Sequence, residues 1–302
     1  MATYASSLRQ ENGTKKAKLN SSGDIVIESN GAESTEILGT NSVVTANITN
    51  DAVTPAKVLL NDGTAAGTGR SPLIWTDCPL MELRTNPELG HEYFNHYLGP
   101  IDVTTGDGYT ITQENSGAIS AVATVDGGVL LVDSAGNNAA DDGVNVQLPN
   151  CMFKAAAGRT IWFEARVAMV DTGDDQYFIG LAGIDTTLIA AGIMDDVVDK
   201  CGFFRIAAST ADKISTITAR TSAEDATTDV ATIADNTYVK LGFVIDGLTS
   251  VKFYVNGALV ETGVTAANIP NAVMALSYVA QCEQTSADAE LSVDWVQIAQ
   301  EN

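Results

Sequence analysis

Basic residues are scarce in this chain of 302 residues: 16 Lys and Arg stand against 38 Asp and Glu, a formal net charge of -22. A surface this negative repels phosphate, which excludes nucleic acid as a direct partner. Histidine occurs only as His91 and His96, and proline only seven times. The four cysteines, Cys78, Cys151, Cys201 and Cys282, lie far apart with no C-x-x-C pair. That spacing argues against zinc and predicts free thiols. No apolar run approaches the roughly 18 residues of a membrane helix; the longest candidate, 178–194, is interrupted by Asp185. Met1 to Ser22 has no apolar core of a secretory signal, so synthesis in a cytosol is expected. There is no phosphate loop, no dinucleotide fingerprint and no G-x-S-x-G. Helical periodicity is almost absent as well, which leaves strands to build the core.

What is present alternates with period two. In 238–263, Val239, Leu241, Phe243 and Ile245 alternate with Lys240, Gly242 and Val244. Asp246-Gly247 breaks the run, and Val251, Phe253 and Val255 resume it opposite Lys252 and Tyr254. Asn256-Gly257 follows, a hairpin pair in which both residues tolerate positive φ. Ala258–Glu261 returns as a third strand, giving an antiparallel meander that needs a second sheet over its apolar face. Residues 158–170 repeat the pattern, with Ile161, Phe163, Ala165, Val167 and Met169 opposite Trp162, Glu164 and Arg166. Further strands are expected at 118–124, 128–132, 144–148, 176–182, 202–207, 215–220 and 272–278. The expected core contains Phe163, Val167, Phe243, Phe253 and Trp295. About a dozen short strands with regular turns define an all-β sandwich.

The meander, with its Asp-Gly and Asn-Gly turns, resembles the centre of concanavalin A-like (laminin-G-like) jelly-roll sandwiches. Leu291–Ile298 resembles the strand that closes that fold, and W-F-E-A-R-V at 162–167 its central strand. Glu92–Leu98 resembles the opening strand, with Asn95 and His96 in place of an acidic pair. The resemblance implies an antiparallel jelly-roll β-sandwich over 90–302. An aromatic and Pro-rich connector, 72–89, leads into it, with one helical turn expected at 79–84.

Residues 1–71 are of a different composition, rich in Ser, Thr, Asn, Gly and Ala, with no aromatic after Tyr4. One strand is expected at 23–28. Ile48–Leu59 resembles a module of tailed-phage structural proteins, "I-x-x-D-A-V-T-x-A-K". That likeness implies an extended N-terminal arm that anchors the chain in a virion. Its contacts would come from Arg9, Lys15, Lys16 and Lys18, the net-positive run, and from Ile48, Val53 and Lys57. The partner implied is the major capsid protein, with the chain itself a homotrimer on the capsid surface, as a decoration protein or head fibre.

Catalysis is not expected. Glycoside hydrolysis needs two carboxylates flanking a sugar bond, whereas Glu164 stands alone on its strand, and Glu290 and Asp294 are four apart. These read as solvent-facing charges. No cofactor is expected. The oxygen clusters a structural calcium would need are limited to Asp171/Asp174/Asp175, Asp195/Asp196/Asp199 and Asp141/Asp142. His91 and His96, five apart, do not share a strand face, which argues against a metal there. The other functional class this fold suits is recognition of host glycans, as in a tail-fibre or adhesin head. Its site would be a groove with an exposed aromatic platform, for which Trp162 and Tyr254 are the candidates.

Overall fold

The computed structural model describes residues 15–19, 25–29, 32–34, 67–98, 108–114, 117–122, 127–134, 142–150, 152–173, 175–190, 193–194, 198–206, 208–282 and 289–302. The chain divides into two compact units, Met1–Lys57 and Val58–Asn302. In the first, strands β1 (Lys15–Leu19), β2 (Ile25–Ser29) and β3 (Ala32–Ser34) form an antiparallel meander. The sequence suggests only the second of them. Lys15, Lys16 and Lys18 fall on β1; Arg9, Ile48, Val53 and Lys57 lie outside the described residues.

The second unit opens with two short helices, α1 (Pro72–Trp75) and α2 (Leu80–Thr85), the latter where one turn is expected. Strands β4 (Gly90–Asn95), β5 (Thr110–Glu114), β6 (Ala118–Ala121), β7 (Leu130–Asp133), β8 (Gly143–Gln147), β9 (Thr160–Met169) and β10 (Gln176–Ala182) follow. A small hairpin, β11 (Ile189–Ala190) and β12 (Ile193–Met194), precedes β13 (Lys200–Arg205), β14 (Lys213–Arg220), β15 (Ala223–Thr232) and β16 (Val239–Asp246). The chain ends with β17 (Ser250–Val255), β18 (Ala258–Glu261), β19 (Ala275–Gln281) and β20 (Glu290–Glu301).

These strands make two antiparallel sheets. One has the order β15-β14-β13-β10-β19-β8-β5; the other runs β18-β17-β16-β9-β20-β7-β6, with β4 also paired to β20. The Asn256-Gly257 hairpin forms as its chemistry requires, with φ of 50° and 74° at the two residues. Between the sheets lies the core. Phe163 stacks on Phe243 across β9 and β16, ring centroids 4.6 Å apart, and Phe253 meets Phe203 of the opposite sheet edge-on at 5.4 Å. Phe163, Val167, Phe243 and Phe253 are all in this core, as the alternation predicts.

Trp295 is not. β20 carries a bulge between Val293 and Trp295: Val293 pairs with Val167 and Trp295 with Arg166, leaving Asp294 as the extra residue. One inserted residue reverses which face each later side chain takes. Leu291 and Val293 face the core before the bulge; Val296 and Ile298 face it afterwards. Trp295 is thereby moved to the outer face, where its indole N–H donates to the Thr68 carbonyl at 2.9 Å.

Both outer faces are partly roofed. Over the seven-stranded sheet, Leu188, Ile189 and Met194 of the β11–β12 segment pack on Phe178, Phe204, Ile217 and Val279. Over the other sheet, α1 and α2 bring Ile74, Trp75 and Leu83 onto Trp162, Tyr254 and Ala299. A Cβ at residue 242 would crowd both Ile74 Cδ1 and the Phe163 carbonyl oxygen, so glycine fits there. Trp162 and Tyr254, the expected exposed platforms, are therefore buried, at 3% and 7% exposure. Their alternation points them away from the core, and the helices above close over them.

Candidate functional site

The strap of residues 67–85 does not cover its whole sheet. Beside it an open cleft of about 490 Å³ remains, with Thr68, Gly69, Arg70, Leu80, Met81 and Arg84 on the strap side. The sheet side is Phe94 and His96 with Asp294, Trp295 and Gln297 of β20. The opening has a topological cause. One edge of β20 is shared end to end: β7 pairs with 290–293 and β4 with 296–301. The bulge at Asp294 occupies the junction, so the two partner strands part at that point.

β4 supplies the aromatic floor by strict alternation. Tyr93 packs against the core, whereas Phe94 points out and is 52% exposed. The end of β4 is then locked. Asn95 Oδ1 accepts the Tyr97 backbone N–H at 2.8 Å, and Tyr97 takes a positive φ of 50°. That turn sends the Tyr97 ring inward, where its hydroxyl lies 3.2 Å from those of both Tyr109 and Tyr278. Burial raises the pKa of the Tyr97 hydroxyl well above its ordinary value. His96 is left facing the cleft, stacked on Phe94 with ring centroids 6.1 Å apart.

The polar groups around this floor are held in place by pairs. Arg84 donates from Nε and Nη2 to the two carboxylate oxygens of Glu92, both at 2.8 Å. Gln297 Nε2 donates to Glu92 Oε1 at 2.6 Å. Asp294 pairs with Arg166, and His96 Nε2 lies 3.8 Å from its other oxygen. Arg166 in turn lies over the Tyr238 ring at 4.0 Å. Phe94, His96, Arg84 and Gln297 thus combine an apolar face with planar hydrogen-bonding groups at fixed positions.

Glu164 is fully buried under α1 instead of facing solvent. Its Oε2 accepts the Ser71 backbone N–H at 2.9 Å and the Trp75 indole N–H at 2.7 Å. Burial raises its pKa, opposed by those hydrogen bonds and by Lys240. Lys240 Nζ donates to the Gly69 carbonyl at 2.9 Å, which ties down the start of the same strap. Glu164 is therefore a strap anchor.

Of the other residues singled out, His91 bonds the Met152 carbonyl through Nε2 at 3.0 Å and stacks on Phe153. Asp199 accepts backbone N–H groups of Thr221, Asn271 and Ala272, and Asp171 that of Gly173. Asp141, Asp174, Asp195 and Asp196 lie outside the described residues. Among the described residues no group of three His, Cys, Asp or Glu side chains is placed to hold a metal ion. Cys78 and Cys201 are free thiols, and Cys282 Sγ lies 3.0 Å from Ser134 Oγ; Cys151 lies outside the described residues.

No family model matches the sequence, and no curated protein matches it. Solved structures do. A protein of unknown function from Shewanella oneidensis MR-1 is similar at a TM-score of 0.51 and 12% identity, over 75% of this chain and 93% of that one. Peanut lectin is similar at 0.48 and 12%, over 70% and 97%. An endo-1,3-beta-glucanase from Streptomyces sioyaensis is similar at 0.46 and 12%, over 69% and 95%. At these identities the likeness concerns the fold alone. That fold is the concanavalin A-like jelly-roll sandwich, nearly all antiparallel β in two sheets.

Proposed function

We propose that the sandwich is a carbohydrate-binding head and that the cleft beside the strap is its saccharide site. The observation that carries this reading is Phe94: a large apolar ring, half exposed, on the floor of an open cleft. A sugar ring has one face of C–H groups and a rim of hydroxyls. The C–H face suits an aromatic surface, and the rim suits planar donors and acceptors of known direction. Arg84, His96 and Asp294 stand around the ring in that role. The head binds and does not cleave. The one carboxylate lining the cleft, Asp294, is committed to Arg166, and Glu164 is shut beneath the strap.

On this reading the chain is an adhesin or tail-fibre type of protein, and residues 1–57 attach the head to a larger assembly. A virion role, with the major capsid protein as partner and a homotrimeric state, is what the likeness of the Ile48–Leu59 segment to phage modules implies. Glycan-array binding of the full chain tests the site. At least one glycan class should bind. Phe94→Ala should weaken it by about tenfold, roughly 1.4 kcal/mol, with the bound saccharide recovered intact. Unchanged binding by Phe94→Ala would place the site elsewhere.

A further inference from the structure

The charges along the cleft differ from those of the unit around it. Residues 58–302 carry 11 basic and 32 acidic side chains. Two of those 11, Arg70 and Arg84, line this cleft from its strap side, and a third, Arg166, pairs with the cleft residue Asp294. The carboxylates present are neutralised locally: Glu92 by Arg84 and Asp294 by Arg166. Positive charge is left over. The Arg70 guanidinium lies over the Trp75 ring at 5.9 Å and has no hydrogen bond or ion pair among the described residues. Arg84 uses Nε and Nη2 on Glu92, which leaves Nη1 uncommitted on a side chain that is 53% exposed.

We infer that the saccharide taken by this cleft is anionic, a sugar acid whose carboxylate is received by Arg70 with Arg84 as the second contact. This rests on the carbohydrate reading of the same cleft. A guanidinium presents a planar fork of donors that fits a carboxylate in two-point geometry. A neutral glycan would use the Phe94 floor but gain nothing ionic from Arg70. The surrounding acidic surface sharpens the choice. It repels an anionic glycan, so attraction needs a place where positive charge is in excess, as it is along this cleft. Both uronates and sialates carry the required group.

Titration calorimetry on the full chain decides between acid and neutral ligands. The probes are trigalacturonic acid against its methyl ester, and sialyllactose against lactose. The free acid of at least one pair should bind about tenfold or more tightly than its neutral counterpart, and the margin should shrink as ionic strength rises. Arg70→Met should abolish that margin, lowering the affinity for the acid far more than that for its neutral counterpart. Phe94→Ala should weaken acid and neutral forms alike. Equal binding within both pairs, or binding on an array of neutral glycans with neither acid bound, would overturn the anionic assignment and leave the carbohydrate reading standing. An acid preference that survives both Arg70→Met and Arg84→Met would also overturn it. If no glycan of any class binds, both readings fall together.

Discussion

Glu164 shows how a single side chain ties a connector to a sheet. Its carboxylate takes a backbone N–H and an indole N–H from the strap, and burial still raises its pKa above the ordinary 4.5. The folded state therefore holds this proton more tightly than the unfolded chain does. Where the folded state binds more protons, stability falls as pH rises. The Glu164 contribution is thus fully unfavourable only above its raised folded value, and it is relieved as pH falls toward 4.5. Lys240 is the charged group opposing it from the neighbouring strand. Glu164→Gln keeps an oxygen for the Trp75 indole and removes the titration. Denaturant unfolding across pH 4.5 to 7 should show a shallower fall in stability for this variant than for the parent. Equal slopes would assign the titration to other groups. The site was legible in the sequence only as a class, an aromatic platform in a groove. Trp162 and Tyr254 carry the right pattern for exposure, and nothing in their own strands announces the roof above them. Phe94 does the work because its strand neighbours the gap in β20, a fact of pairing that no local pattern records.

Elements whose residues alternate large apolar and polar groups were readable. β9, β16, β17, β18 and β10 lie where period two puts them, because each has one face on the shared core. β15 was not readable. Its sequence, AEDATTDVAT, is mostly exposed at the sheet edge and has no large apolar face to reveal it. β20 was half readable: the strand is visible, but the bulge at Asp294 is not, and Trp295 changes face as a result. The strap is too short for any helical period to show, with four residues in α1 and six in α2. Its hold on the sheet depends on a few buried side chains, of which Ile74 fits directly over Gly242. Ile74→Ala should destabilise the unit by about 2–5 kcal/mol, the range for truncating a buried aliphatic side chain to alanine. The same variant should shift Trp75 and Trp162 fluorescence to the red and admit protease into 67–85. Saccharide affinity should drop with it, since Leu80, Met81 and Arg84 form a cleft wall. A destabilised protein with native tryptophan emission would mean that the strap stays seated without Ile74.

At the scale of the whole molecule the chain is two units with different charge. Met1–Lys57 and Val58–Asn302 are separately compact. The net-positive run of residues 1–20, with Arg9, Lys15, Lys16 and Lys18 against Glu11, belongs to the first. The second unit carries its own core between two sheets, so it has no physical need of the first to fold. Where the division falls matters. Cutting the chain at Ser71 would remove the Thr68 carbonyl that receives the Trp295 indole and the Gly69 carbonyl that receives Lys240. It would also remove Arg70 and the first wall of the cleft. A chain beginning at Val58 keeps all of these. It should melt cooperatively, with near-ultraviolet circular dichroism matching that of the full protein, and should bind glycans with unchanged affinity. A chain beginning at Ser71 should fold with a lower melting temperature and bind less tightly. Attachment is the separate property. If residues 1–57 join the head to a larger particle through their basic side chains, the full chain should co-sediment with that particle and be released by salt. The Val58 chain should stay in the supernatant. Co-sedimentation of both chains to the same extent would place attachment in the sandwich and leave the first unit without that role.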